Sequence, residues 1–286
     1  MNEQTDLSLD ELRPGMVAVL GVPFDANSSY LPGAVEAPLR IREALHCSAA
    51  NLATEDGRDL GAVAEWRDMG DLDLTDLETA RQQIEASAAA ILASGASLVS
   101  LGGDHSITYP LVRAFAAAYP GLNILQLDAH PDLYDELDGN RYSHACPFAR
   151  IMEENLAGRL VQMGVRAMTP LQRRQADRFG VEVIPMSVSD RLMPIEFQGP
   201  LYLSLDLDCL DPGCAPGVSH HEPGGFMTRE VLDIIHNLRG NLVGADIVEL
   251  NPRRDLNNMT ATLAAKLLKE IVARLLGGGD SSTPEV

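Results

Sequence analysis

No apolar run in this sequence approaches the roughly 20 residues that a membrane-spanning helix needs. The opening stretch, "MNEQTDLSLDEL", is polar and acidic, with neither the apolar heart of a secretory leader nor the arginines of an organelle presequence. An unexported, cytoplasmic protein is the expectation that follows. Cysteine is sparse. Cys47, Cys146, Cys209 and Cys214 form no CxxC pair, which excludes a disulfide framework and predicts reduced, mostly buried thiols. Basic residues are outnumbered, with 22 Lys and Arg against 41 Asp and Glu, and the net charge of −19 argues against nucleic acid or anionic membranes as partners. The same excess mildly favours cationic ligands, although most of these acids are expected to serve only solubility. Internal repeats, low-complexity tracts and linker-like composition shifts are also missing, so residues 1–286 read as one domain.

What is present is an alternation of short apolar runs and helical patterns. The runs are "VAVLGV" (17–22), "SLVSL" (97–101), "NILQLD" (123–128), "RLVQMGV" (159–165), "VEVIPM" (181–186), "LYLSLD" (201–206) and "LVGADIVEL" (242–250). Their near-continuous apolar character suits parallel strands covered on both faces. Between them, Thr75 and Glu78 form a capping-box pattern ahead of a helix that Gly95 closes. Thr228 opens a second helix that Gly240 is expected to end. A third, from about Thr260 to Leu276, places Leu263, Leu267 and Ile271 on one stripe. Gly277–Gly279 stop it, and residues 280–286 are expected to fray.

Four polar clusters follow four of the predicted strands: "GGDHS", "DAHPD", "DLDCLDP" and the "EL" at 249–250. In open α/β sheets, ligands bind beyond the carboxyl ends of the strands, so segments distant in sequence can converge there. In extended chain Asp128, His130 and Asp132 point to one side, and Pro131 holds its predecessor out of the helical region. Asp206 and Asp208 repeat that alternation, and His105 adds a second imidazole. A single DxH is more often a hydrogen-bonding pair than a metal site. DxHxD, DxD and GGDH, each at a strand end, are not explained by a solvated surface.

Four carboxylates and two imidazoles exceed what one catalytic metal uses. Two ions about 3.5–4 Å apart, sharing carboxylates, would engage all six. A carboxylate-rich, thiolate-free set suits Mn²⁺ better than structural Zn²⁺, with Zn, Fe, Ni and Co still open. Cys209 follows Asp208 directly and is expected to point away.

"GGDHS", "LDAHPD", "SLDLDCLDP" and "GADIVELNP" resemble, in order, the signature segments of the ureohydrolase family of arginases and agmatinases. The likeness runs from "GVPFDANSSYLPGAVEAPLRIREAL" to the last helix. "LDAHPDLYDELDGNRYSHACPFARIMEE", "APGVSH" and "EPGG" draw it toward the plant-type arginases. The resemblance implies a three-layer α/β/α sandwich with a mainly parallel sheet, assembled as a homo-oligomer, a trimer or hexamer. It implies two Mn²⁺ per subunit. His105, Asp128, Asp132 and Asp206 would hold one ion; His130, Asp128, Asp206 and Asp208 would hold the other. Glu249 would pair with a guanidinium, Asp132 would relay a proton, His144 would shuttle protons near the entrance, and Asn140 would meet an amino-acid carboxylate. Asp135, Glu136 and Asp138 read as rim charges, and His220 and His221 as loop residues near the mouth.

The function expected is hydrolysis of a small guanidino substrate to urea and an amine, with L-arginine first. Agmatine and guanidinobutyrate are the alternatives, because the metal cluster serves every such substrate. A zinc deacetylase-like enzyme would use one metal and leave the second ligand set idle. A non-catalytic binding protein would not be expected to retain all six ligands and Glu249.

Overall fold

Side chains alternate across a strand, and here each alternate set meets its own core. On Val17–Val22 (β1), Val17 and Val19 join one buried cluster while Ala18, Leu20 and Val22 join the other. A strand buried on both faces belongs inside a helix-covered sheet, and that is where β1 lies. The computed structural model describes residues 9–188 and 192–277. The remaining strands are Trp66–Asp71 (β2), Ser97–Gly102 (β3), Asn123–Leu127 (β4), Arg159–Val165 (β5), Glu182–Pro185 (β6), Glu196–Asp206 (β7) and Arg239–Val248 (β8). They form one sheet in the order β2-β1-β3-β8-β7-β4-β5-β6, and every ladder is parallel.

Helices cover both faces. Ala37–Leu45 (α1), Thr228–His236 (α6) and Met259–Leu276 (α7) pack on the side of Val17, Leu101 and Leu203. Ala80–Ala93 (α2), Thr108–Ala118 (α3), Pro147–Glu153 (α4) and Pro170–Phe179 (α5) pack on the side of Leu20, Leu98 and Tyr202. The result is the three-layer α/β/α architecture. Leu263, Leu267 and Ile271 are buried along α7 as the stripe predicts, and the helix ends against Gly277.

One strand was not anticipated, and two local expectations are corrected. β2 has no apolar signature, since only Met69 of "WRDMGD" is buried; it is an edge strand whose charges face solvent and Arg42. The Thr75–Glu78 capping box does not form. Asp73 and Asp76 accept the amides of Thr75 and Glu78 instead, turns that hold the chain out of helix until Ala80. α6 stops at His236, where the Asn237 side chain bonds the Asp233 carbonyl, and Gly240 belongs to β8. The expected frayed tail at 280–286 lies outside the described residues.

The loops after β1, β3 and β8 cross so closely that one position must be glycine. Gly103 N donates to Val22 O, Gly103 O accepts Glu249 N, and a Cβ at Gly103 would sit 1.7 Å from Phe24 O. The neighbour is backbone and cannot rotate aside. Gly103→Ala is therefore expected to destabilise the fold by about 1–3 kcal/mol, read as a lower urea midpoint at unchanged slope.

Candidate metal centre

β3, β8, β7 and β4 are consecutive in the sheet, and their carboxyl ends deliver His105, Glu249, Asp206 with Asp208, and Asp128 with His130 and Asp132 to one place. The convergence is as expected, but the local geometry is not extended alternation. Asp128 Oδ1 accepts the His130 amide at 2.6 Å, and Asp206 Oδ1 accepts the Asp208 amide at 2.8 Å. Asp104 Oδ1 accepts the Ser106 amide at 2.9 Å, capping the single turn that carries His105. Each segment is thus an aspartate-closed turn, the conformation these side chains favour locally. Asp132 and Glu249 have φ of 47° and 65°, left-handed values that cost a non-glycine residue on the order of 1–2 kcal/mol. Strain of this kind concentrates at functional sites.

Two groups result. His105, Asp128, Asp132 and Asp206 place their ligand atoms together, as do Asp128, His130 and Asp208. His105 Nδ1 lies 3.2, 3.0 and 3.1 Å from Oδ2 of Asp128, Asp132 and Asp206. His130 Nδ1 lies 2.9 Å from Asp208 Oδ2 and 3.5 Å from Asp128 Oδ1. Asp128 is common to both, one oxygen toward each. Asp206 joins the first group only. Cys209 is buried in the core and belongs to neither group.

The donors fit a divalent cation. His105 Nδ1 is buried beside three carboxylate oxygens yet forms no aligned hydrogen bond. An orphaned buried nitrogen is rare unless something else completes its surroundings. Oxygen and imidazole ligands without thiolate suit a hard or borderline ion. The side chains perturb one another strongly. Burial would drive the His105 and His130 imidazoles down, but the carboxylates around them hold both far above the ordinary histidine range. Burial, with repulsion from neighbouring carboxylates, pushes Asp206 well up and Asp132 to about 6.

Above these groups opens a cavity of about 550 Å³ lined by His130, Asp132, Asp206, Asp208, His144, His220, Glu222 and Glu249. Glu249 Oε1 accepts the His105 amide at 2.9 Å and faces His144 Nδ1 at 3.1 Å; neither contact uses Oε2. Burial opposes the charge on both partners, but their pairing prevails: Glu249 is held below its usual value and His144 rises to about 9. His144 lines the cavity but is itself buried, held from the far side by Ser29 Oγ at 2.8 Å.

Asn140 does not line this cavity. It borders an adjoining hollow, where its Nδ2 donates to Asn27 Oδ1 at 3.1 Å. Asp135, expected to charge the rim, is offset by Arg141 and Arg150, whereas Glu136 and Asp138 are exposed. His220 reaches the mouth, its ring 5.1 Å from that of His144, while His221 is exposed and turns to the Pro216 carbonyl. Sequence reasoning missed Ser29, Glu222, Ser204 and Asp246. Only Asp246 carried a signal, a carboxylate in the middle of an apolar strand.

A family profile described as "Arginase family" matches residues 16–273. "Arginase 1, mitochondrial" of Arabidopsis thaliana is 45% identical over 276 residues, covering 90% of this chain and 80% of that protein. "Agmatinase, mitochondrial" of Gallus gallus is 35% identical over 276 residues, covering 91% and 81%. Among solved structures, arginase from Medicago truncatula superposes with a TM-score of 0.86 at 41% identity, covering 94% of this chain and 89% of that one. These relatives overturn the cytoplasmic expectation, because both curated proteins are mitochondrial. The composition of a catalytic domain does not encode its compartment, which is carried by leader segments of a different kind.

Proposed function

Because this chain belongs to the arginase family, we propose that it hydrolyses L-arginine to L-ornithine and urea, using two Mn²⁺ ions per subunit. The observation that carries the choice of arginine is the 45% identity with a plant arginase over 90% of the chain. At the level of chemistry, the chain is a metal-dependent hydrolase of guanidino compounds.

His105, Asp128, Asp132 and Asp206 would hold one ion and Asp128, His130 and Asp208 the other, with Asp206 next to the second set as the further shared carboxylate that the family resemblance implies. Bound there, two such ions would neutralise the carboxylates and would supply a water of lowered pKa as a nucleophile near neutral pH. Glu249 takes the substrate guanidinium on Oε2, while the His105 amide and His144 fix Oε1. Such a pair orients the otherwise inert central carbon toward the attacking water. Asp132 receives the water's proton and passes it to the departing amine. His144, its imidazole held between Glu249 and Ser29, exchanges protons with solvent through the mouth. Collapse of the tetrahedral adduct releases urea and the amine.

The deciding experiment loads the protein with Mn²⁺ and measures urea from arginine, agmatine and guanidinobutyrate. Arginine is expected to give the highest kcat/KM. Urea from agmatine alone would move the assignment to agmatinase, and none from any of the three would remove the chemistry itself. We also read the whole chain as one domain, supported by a single sheet that joins its first described strand to its last. Assembly into trimers or hexamers is part of the same reading. Mass photometry showing monomers would overturn it.

A further inference from the structure

Beneath the candidate metal centre the sheet buries a carboxylate that no step above employs. Asp246 lies on β8, fully buried, with three hydroxyls around it. Thr108 Oγ1 and Tyr202 Oη each donate to Oδ2 at 2.8 Å, and Ser204 Oγ donates to Oδ1 at 2.8 Å. The strand register places Ser204 of β7 directly beside Asp246. A desolvated carboxylate in an otherwise apolar strand is costly even with its hydrogen bonds made.

What an apolar residue could not supply is a direction for one proton. Ser204 has a single hydroxyl hydrogen, and Asp246 takes it. Ser204 Oγ also lies 3.0 Å from His105 Nε2, so toward the imidazole it can only accept. In the neutral form that can ligate a cation, His105 must then carry its hydrogen on Nε2. The lone pair is left on Nδ1, the atom that meets Asp128, Asp132 and Asp206. We propose that Asp246 is a positioning residue that acts through Ser204 to hold His105 in the tautomer able to bind a cation. An asparagine at 246 can present its amide to Ser204, turn the hydroxyl toward Nε2 and shift the hydrogen to Nδ1.

The proposal rests on the two-ion reading, and the test keeps the two apart. Full-length wild type, Ser204→Ala and Asp246→Asn are stripped, titrated with Mn²⁺ by calorimetry, and unfolded in urea without metal. Wild type is expected to take up two ions. Each variant is expected to hold one of them about 10–100-fold more weakly, the usual consequence of losing an outer partner of a ligating histidine. Because both variants break one chain of bonds, the double variant should lose no more than either single. Wild-type affinity for both ions in Ser204→Ala overturns the proposal, even if Asp246→Asn does not fold. So does a lower urea midpoint with an unchanged isotherm, which would mean that Asp246 only pins β7, β8 and α3 together. A wild type that takes up no ion would instead remove the two-ion reading.

Discussion

Asp128→Asn is expected to abolish urea release and to leave the protein unable to hold two Mn²⁺ ions together. Asp128 is fully buried and, among the described residues, is the one whose oxygens join both ligand groups. Its Oδ2 faces His105 Nδ1 at 3.2 Å and its Oδ1 faces His130 Nδ1 at 3.5 Å. Asparagine keeps the volume and can still accept the His130 amide, so the turn and the packing survive. It removes the charge that both groups share. Losing one partner of a buried ion pair costs about 3–5 kcal/mol, roughly two to four orders of magnitude in an equilibrium constant. Here the loss falls on two groups at once. Calorimetric Mn²⁺ titration beside a urea assay measures it, and a variant that still binds two ions tightly would deny Asp128 its shared role.

Glu249→Gln should leave metal uptake nearly intact and remove the chemistry. The amide can occupy the same left-handed backbone position and still accept the His105 amide, so the loop is preserved. What it cannot do is pair as an anion with a guanidinium. Truncating one partner of a buried, hydrogen-bonded charge pair costs about 2–5 kcal/mol, a fall in kcat/KM of about 30-fold to several thousandfold. A second signature accompanies it. Glu249 is what raises His144 to about 9 against the pull of burial. With glutamine, His144 should titrate well below 9, visible in histidine NMR spectra. In linkage terms, the His144 contribution to stability is full below its ordinary 6.5 and is lost as pH rises through about 9. Wild type should therefore lose stability between those values, and Glu249→Gln should show a flatter profile. Unchanged His144 titration would break the link between the two residues.

How far these sites were legible in the sequence depends on whether the signal was local. The apolar runs announced every interior strand, because a strand covered on both faces must be apolar along its length. β2 was illegible because an edge strand with one solvated face needs no such run. His105, Asp128, His130, Asp132, Asp206, Asp208 and Glu249 were legible because each closes or follows a strand whose end the sequence marks. Their mode of presentation was not. Extended alternation and an aspartate-closed turn both place residues two apart on one side, and the sequence does not separate them. Ser29 against His144 and Ser204 against Asp246 depend on contacts made between distant segments. For Asn140 the place in the loop was legible, whereas its bond to Asn27 across a distant segment was not.

The strand order also dictates when the centre can first exist during synthesis. β8 is the last strand made, yet it lies between β3 and β7 in the middle of the sheet. Until it emerges from the ribosome, β3 and β7 keep unpaired inner edges, and His105 stands apart from Asp206. Translation at about 5–20 residues per second leaves that seam open for seconds. The nascent chain must carry two half-sheets, each with an apolar edge open to wrong partners, until one late strand slots home. The group that unites His105 with Asp128, Asp132 and Asp206 is consequently expected to wait for β8, whereas Asp128, His130 and Asp208 come from β4 and β7, which pair without it.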